Sequence, residues 1–362
     1  MIKPKPHLTK LSPYPPGKTE EEVRRELGIT GKIYKMNSNE NPLGPSRAVI
    51  GAIQKAASQV HRYPEASYIE LKKAIAQRHG ISEKQVIVGN GSDEVLEFVF
   101  KAFLEPEDCI VISSPSFLMY EKFAEIYNVG VEKVPLSQDF RHNLSKIKKL
   151  LLSRAKVAFF DHPHNPTGTV LSKKEWREFF NGLSEDVLVV IDEAYGDFVE
   201  DKDVPVAEEF FEYFPSLLVI KTFSKSLGLA GLRLGYGIAS KEIATALEKV
   251  RQPFNVNLLA VKAGLAVFED KQYIEKSKRL VFEGRAYLSK ELQKLGFKVL
   301  PSQANFVMVD FGENAEKIYQ ALLKKGILIR PLSAYGFKTW FRISIGLPEE
   351  NRYLIEVVSS LL

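Results

Sequence analysis

The feature that most restricts the fold is a rhythm of short apolar runs set between helical segments. The runs are Val86–Val88, Cys109–Ile112, Val157–Phe160, Val187–Ile191 and Leu217–Ile220. Each is rich in aliphatic or aromatic residues and bounded by polar residues, Gly or Pro, as expected of strands buried on both faces. Strands that alternate with helices close into a mostly parallel sheet, because a parallel crossover needs about a dozen residues and those residues cover the sheet. The expected fold class is α/β, with helices on both faces. Residues 1–36 precede this rhythm, are rich in Pro and Lys, and read as an irregular arm with one short helix at Glu20–Leu27. Such an arm cannot bury itself and is expected to pack on a smaller domain or a partner surface. From Asn257 the texture changes to long charged helices, Leu258–Phe268 and Gln272–Leu295. Strand-like Asn305–Val309, helix Ala315–Lys324, strands Ile327–Arg330 and Trp340–Ile345, and a helix from Glu349 follow. The chain thus divides into an arm (1–36), a large domain (37–256) and a smaller α+β domain (257–362).

Ligands of open α/β sheets bind beyond the carboxyl ends of the strands, so the residues after each run are the candidates. Gly89-Asn90-Gly91-Ser92-Asp93-Glu94 opens a helix and offers free N–H groups to a phosphate. Read alone, it is equally an ordinary turn with Ser92 or Asp93 as N-cap. It lacks the third glycine of a dinucleotide fingerprint, since position 94 is Glu. Phe117, after the second run, could cover a planar ring or simply pack in the core. After the third run, Asp161-His162-Pro163-His164-Asn165-Pro166-Thr167-Gly168 forms a Pro-ordered loop that presents the Asn165 amide. Its His-x-His pair lacks further ligands nearby, so no metal is expected. Asp192 follows five apolar residues, and Tyr195 lies just beyond it. A carboxylate there is costly to bury unpaired, so Asp192 is either a helix cap or the partner of a cationic ring nitrogen. After the last run comes Lys225 between hydroxyl residues, with Arg233 among glycines eight positions on. Lys225 is a candidate Schiff-base lysine, because burial and cationic neighbours lower an ammonium pKa. Arg233 with Thr222 and Ser224 could complete a phosphate cradle. What distinguishes the chain is the joint pattern, with a chemically useful group at each successive strand end.

Composition narrows the classes further. Lys plus Arg minus Asp plus Glu is 50 − 45 = +5 over 362 residues, and the basic residues are spread along the chain. That argues against a nucleic-acid surface and suits a small anionic substrate. The single cysteine, Cys109, allows no internal disulfide and fits a reducing cytoplasm. No apolar signal-peptide core follows Met1-Ile2-Lys3-Pro4-Lys5-Pro6, and no uncharged apolar stretch approaches ~18 residues, so a soluble cytoplasmic protein without a membrane span is expected.

Over nearly its whole length the chain resembles the fold-type I, pyridoxal-phosphate-dependent aminotransferases, and within them the histidinol-phosphate aminotransferase family. The resemblance rests on Asn37-Ser38-Asn39-Glu40-Asn41-Pro42-Leu43-Gly44-Pro45, Arg62-Tyr63-Pro64, Gly91-Ser92-Asp93-Glu94, Asn165-Pro166-Thr167-Gly168 and Asp192-Glu193-Ala194-Tyr195. Ser224-Lys225 with Arg233, Arg251-Gln252-Pro253-Phe254-Asn255-Val256-Asn257 and Phe341-Arg342-Ile343-Ser344-Ile345-Gly346 complete it. It implies pyridoxal 5'-phosphate as cofactor, held covalently by Lys225. It implies Asp192 at the pyridine nitrogen, Asn165 and Tyr195 at the ring hydroxyl oxygen, and Phe117 stacked on the ring. The implied phosphate cradle is Gly91, Ser92, Asp93, Thr222, Ser224 and Arg233. Tyr63 resembles a tyrosine that reaches the cofactor phosphate of a neighbouring subunit, which implies a homodimer. Tyr14, Asn39, Arg330 and Arg342 resemble substrate contacts. The implied reaction is transfer of the amino group between L-histidinol phosphate and 2-oxoglutarate in histidine biosynthesis. One departure is Phe117, where related enzymes often carry Tyr; stacking survives but a phenol hydrogen bond is lost. The same scaffold serves aminotransferases for aromatic amino acids and a threonine-phosphate decarboxylase, and the cofactor residues do not separate these from one another.

Overall fold

The computed structural model describes residues 2–13 and 19–362; Tyr14 lies outside the described residues. Its centre is a seven-stranded sheet in the order Val86–Gly89, Gly235–Ala239, Leu217–Thr222, Leu188–Asp192, Val157–Asp161, Cys109–Ser114, Gly130–Pro135. All pairings are parallel except those of Gly235–Ala239, which runs antiparallel to both neighbours. The mostly parallel α/β sheet is therefore present, and each apolar run named above lies in one of its strands, apart from Val187, which falls one residue before its strand. Side chains alternate across it. Ile110, Ile112, Val157, Phe159, Leu188 and Val190 pack with the helices Ser92–Phe103 and Leu118–Tyr127 on one face. Val111, Ala158, Phe160, Val189 and Ile191 pack with Ile147, Trp176 and Phe179 on the other. Period-2 alternation with both sides apolar is why these strands read as unbroken apolar runs.

The strands Gly130–Pro135 and Gly235–Ala239 are additions to the sequence reading. The first is an edge strand whose residues, apart from Val134, are at least partly exposed, so it carries no apolar run. The second is Gly-Tyr-Gly-Ile-Ala, and its glycines are required by close packing. A Cβ on Gly235 would lie 2.3 Å from the Ser92 backbone nitrogen, and one on Gly237 would lie 2.9 Å from Ile87 Cγ2.

A second, antiparallel sheet has the order Arg330–Pro331, Trp340–Ser344, Phe306–Asp310, Lys298–Val299. The helices Lys271–Lys294, Ala315–Lys324 and Pro348–Ser359 cover it through a core that includes Leu288, Phe306, Val307, Ile318 and Leu354. The single strand expected at Ile327–Arg330 is divided: Ile327–Leu328 pairs parallel with Tyr34–Lys35, and Arg330–Pro331 joins the antiparallel sheet. The helix Glu20–Leu27 forms as expected, opened by a capping box between Thr19 and Glu22, and buries Val23 against Leu323 and Leu328 of this part of the chain. The turn Pro6–Lys10 lies on the helix Leu118–Tyr127, where His7 Nε2 is 3.2 Å from the Ile126 carbonyl and Lys122 Nζ donates to the Ser12 carbonyl at 2.9 Å. Among the described residues no helix is long and apolar enough to cross a membrane.

Candidate active site

The carboxyl ends of the parallel strands open into a cavity of about 340 Å3. Its walls include Ser92, Asp93, Phe117, Asn165, Asp192, Tyr195, Thr222, Ser224, Lys225 and Arg233. The topology explains the convergence: each of these residues ends a parallel strand or follows it closely, except Arg233, which enters the antiparallel strand Gly235–Ala239 at the same end of the sheet.

Asp192 is the last residue of its strand and is buried. Its Oδ1 accepts the Ala194 N–H at 3.0 Å, and the Tyr120 hydroxyl is 3.5 Å from Oδ2. No cation bonds to it among the described residues. Burial first, then the neighbouring charge of Asp161, pushes its pKa up to about 8. Lys225 is only partly buried by surface area, yet its ammonium reaches inward to donate to the Ser38 carbonyl at 3.2 Å. Burial, followed by the charge of Arg342, lowers its pKa to about 8.

Asn165 and Tyr195 present a side-chain amide and a phenol to the same space. The Asn165 Oδ1 is occupied by Arg342 Nη1 at 2.5 Å, so its NH2 remains to donate. Tyr195 accepts the Asn39 Nδ2 at 3.0 Å, which leaves its own proton to donate. Asn39 is fixed in turn: its N–H donates to Ser344 Oγ at 2.8 Å and its carbonyl accepts Asn305 Nδ2 at 2.9 Å. It holds φ +54°, a left-handed conformation that Asn tolerates better than most residues.

The anion cradle lies at the start of the helix Ser92–Phe103. Gly91 precedes it at φ +83° with no side-chain cap, so the first N–H groups are left for a ligand. A Cβ on Gly91 would stand 2.6 Å from Arg233 Nη2. Arg233, itself at φ +53°, pairs with Asp93 at 3.1 Å, and Thr222 Oγ1 accepts the Ser224 N–H at 3.1 Å.

The other expected residues stand further off. Arg342 and Asn39 are not on the cavity wall but touch it through Asn165 and Tyr195. Arg342 is buried, also donates to the Asn37 carbonyl at 3.0 Å, and has a buried Nε with no hydrogen-bond partner. Arg330 is its register partner on the adjoining strand. Tyr63 is 81% exposed, stacked on Phe254 with ring centroids 4.6 Å apart, and contributes nothing to the wall within this chain. Sequence reasoning missed Asp161, Ser38 and Glu40, which line the cavity, and Tyr120, which supports Asp192. Asp161 follows its apolar run just as Asp192 does, and that position was the available signal.

His142, Asp161 and His164 bring ligand-type atoms within 4.8 Å of one another. Hydrogen bonds occupy the ring nitrogens: His142 meets Ser113 Oγ at 2.6 Å and the Asp161 carbonyl at 2.9 Å, and His164 meets Thr167 Oγ1 at 2.8 Å and the Pro115 carbonyl at 3.1 Å. Burial lowers both imidazole pKa values to about 4, so the rings are neutral members of a polar network.

A family model described as Aminotransferase class I and II matches residues 31–358. A histidinol-phosphate aminotransferase of Anaeromyxobacter sp. (strain Fw109-5) is 39% identical over 99% of this chain and 98% of its own length. One from Desulfotalea psychrophila is 41% identical over 98% of this chain and 94% of its own length. The crystal structure of histidinol-phosphate aminotransferase from Sinorhizobium meliloti in complex with pyridoxal-5'-phosphate superposes with a TM-score of 0.90 at 27% identity, covering 100% of this chain and 99% of that one. With this fold, this cavity and these similarities, the chain belongs to the class I and II aminotransferase family.

Proposed function

We propose that this protein is a pyridoxal-phosphate-dependent transaminase that moves the amino group between L-histidinol phosphate and 2-oxoglutarate, giving imidazole acetol phosphate and glutamate. The observation that carries the reading is Asp192, a buried carboxylate without a cationic partner, on the wall of the cavity that also holds the amine of Lys225. A pyridinium nitrogen supplies the countercharge that Asp192 lacks, and the amine suits an aldehyde. The donors of Asn165 and Tyr195 suit a phenolate oxygen between them. The uncapped helix start at Ser92, the hydroxyls of Thr222 and Ser224, and Arg233 suit a phosphate. The donor set therefore fits pyridoxal phosphate, and the names of relatives about 40% identical support histidinol phosphate as the amino donor.

When bound, the cofactor supplies an electron sink for the substrate's α-carbon. The chain supplies everything else. Asp192 would hold the ring nitrogen's proton in place. Lys225, its pKa lowered to about 8 in the cofactor-free chain, would take the proton from the substrate α-carbon and deliver it to the cofactor's C4′. Phe117, on the cavity wall, would cover the ring's face and exclude water. Arg342 and Arg330, facing each other across adjacent strands, are cations suited to a phosphate or a carboxylate, and both amino-group partners are anions. Residues 37–256 form the cofactor-holding domain and 257–362 the smaller one. The exposed Tyr63 is read as serving the site of a second copy, so the working unit is a homodimer in the cytoplasm.

The test is direct. The purified protein with pyridoxal phosphate is expected to absorb in the visible and to transaminate L-histidinol phosphate with 2-oxoglutarate far faster than phenylalanine or tyrosine. Preference for an aromatic amino acid, or release of carbon dioxide from O-phosphothreonine, overturns the substrate assignment; a colourless protein overturns the cofactor assignment.

A further inference from the structure

Asp161 ends its strand directly beside Asp192, as its register partner on the neighbouring parallel strand. Its backbone is fixed from below by His142 Nε2, which donates to its carbonyl at 2.9 Å. Its two carboxyl oxygens face different loops. Oδ1 accepts the hydroxyl of Ser116 at 2.7 Å, and Oδ2 accepts the backbone N–H of Asn165 at 2.7 Å. Ser116 belongs to the turn that delivers Phe117, and Asn165 to the Pro-rich loop that delivers the side-chain amide. A second tie lies behind the first. His164 joins the Pro115 carbonyl of the same turn to Thr167 of the same loop, at 3.1 Å and 2.8 Å. Neither loop is part of the sheet ladder, so these side-chain ties are what join the one to the other.

We propose that Asp161 is a positioning residue: its carboxylate fastens the Phe117 turn to the Asn165 loop, so that the ring-covering phenyl and the ring-oxygen donor are set as one unit. This rests on the reading of the cavity as a pyridoxal phosphate site. The carboxylate acts through Phe117 and Asn165, which line the cavity and would touch the ring; Asp161 itself transfers no proton. Two donors aimed at two oxygens hold both loops from a single group, which an aliphatic side chain could not do. An asparagine could, in outline. Its Oδ1 would accept the Asn165 N–H, and its Nδ2 would donate to Ser116 Oγ, because a serine hydroxyl accepts as readily as it donates.

The experiment compares wild type, Asp161→Ala, Asp161→Asn and Ser116→Ala as holoenzymes. It reads cofactor loss on dilution and the circular dichroism of the visible band, which reports how rigidly the ring is oriented. If wild type shows no visible band, the cofactor reading fails, independently of Asp161. With the band present, Asp161→Ala is expected to release cofactor about tenfold more readily and to lose much of the visible dichroism, as severing two hydrogen bonds predicts. Asp161→Asn, which keeps one hydrogen bond to each loop, is expected to stay much closer to wild type than Asp161→Ala. An Asp161→Ala protein indistinguishable from wild type overturns the proposal. So does an Asp161→Asn protein as impaired as Asp161→Ala, because charge beside Asp192 rather than the tie would then be what matters. Should Asp161→Ala fail to fold, Ser116→Ala decides: it severs one tie only, a partial loss of dichroism is expected, and unchanged dichroism overturns the proposal.

Discussion

Asp192 and Lys225 are driven toward each other from opposite ends of the pH scale. Burial raises the first from 3.8 to about 8 and lowers the second from 10.5 to about 8. In the folded, cofactor-free chain Asp192 keeps a proton that the unfolded chain has released, so its contribution to stability declines as the pH rises from 3.8 to about 8. Lys225 is the reverse case. Between about 8 and 10.5 the unfolded chain holds a proton that the folded chain lacks, so its contribution declines as the pH falls through that window. Asp192→Asn is therefore expected to raise the melting temperature of the cofactor-free protein at about pH 8. The gain should shrink toward the acid end at ~1.4 kcal/mol per pH unit at most, while cofactor affinity drops; a gain that ignores pH would remove burial as the cause. Lys225→Ala should bring turnover below detection and leave the melting temperature within a few degrees, checked by thermal unfolding beside the assay. Arg342→Ala should raise KM for both substrates by about tenfold, the weight of a charge-assisted hydrogen bond, and an unchanged KM would remove its role. Asp192 and Lys225 were legible in the sequence because each follows an apolar run, where a charge needs a reason. The role of Asp161 was not, since it depends on the Asn165 loop turning back to offer an N–H, which no spacing rule reveals.

Among elements, the strands that could be read were those buried on both faces. Gly130–Pro135 escaped because an edge strand keeps polar residues on its outer side, and Gly235–Ala239 because glycine suppresses the apolar signal. The second omission concerns function most. Gly235 lets the strand lie against the Gly91–Ser92 turn, so the geometry of the anion cradle depends on a missing side chain. Gly235→Ala is expected to cost stability by a few kcal/mol, in the manner of an overpacked core, about 1–3 kcal/mol. It should weaken cofactor phosphate binding disproportionately, measured by comparing affinity for pyridoxal phosphate with that for pyridoxal. Equal loss for both ligands would show that the strand, and not the cradle, is what was disturbed.

For the whole molecule, the arrangement of two sheets matters because the segment Asn37–Asn41 runs between them. Met36 donates to the Leu328 carbonyl at 2.9 Å and accepts from Ser344 at 2.9 Å, and Asn39 joins Tyr195 of one sheet region to Ser344 of the other. The exposed Tyr63–Phe254 pair faces outward instead, and on the proposed reading a second copy covers it. Sedimentation is expected to show a dimer, with Tyr63→Ala loosening the cofactor at an unchanged melting temperature; a fully active monomer would refute the shared site. The loop that carries Ser224, Lys225 and Arg233 leaves and re-enters the sheet at a single rung, Thr222 opposite Gly235. Its length acts as a ruler: the covalent tether and the phosphate tether are both measured out from that rung. Substitutions can retune the loop one side chain at a time, but an inserted or deleted residue would shift both tethers out of phase together. The span of this loop is thus a tighter constraint on the site than the identity of the residues between its two tethers.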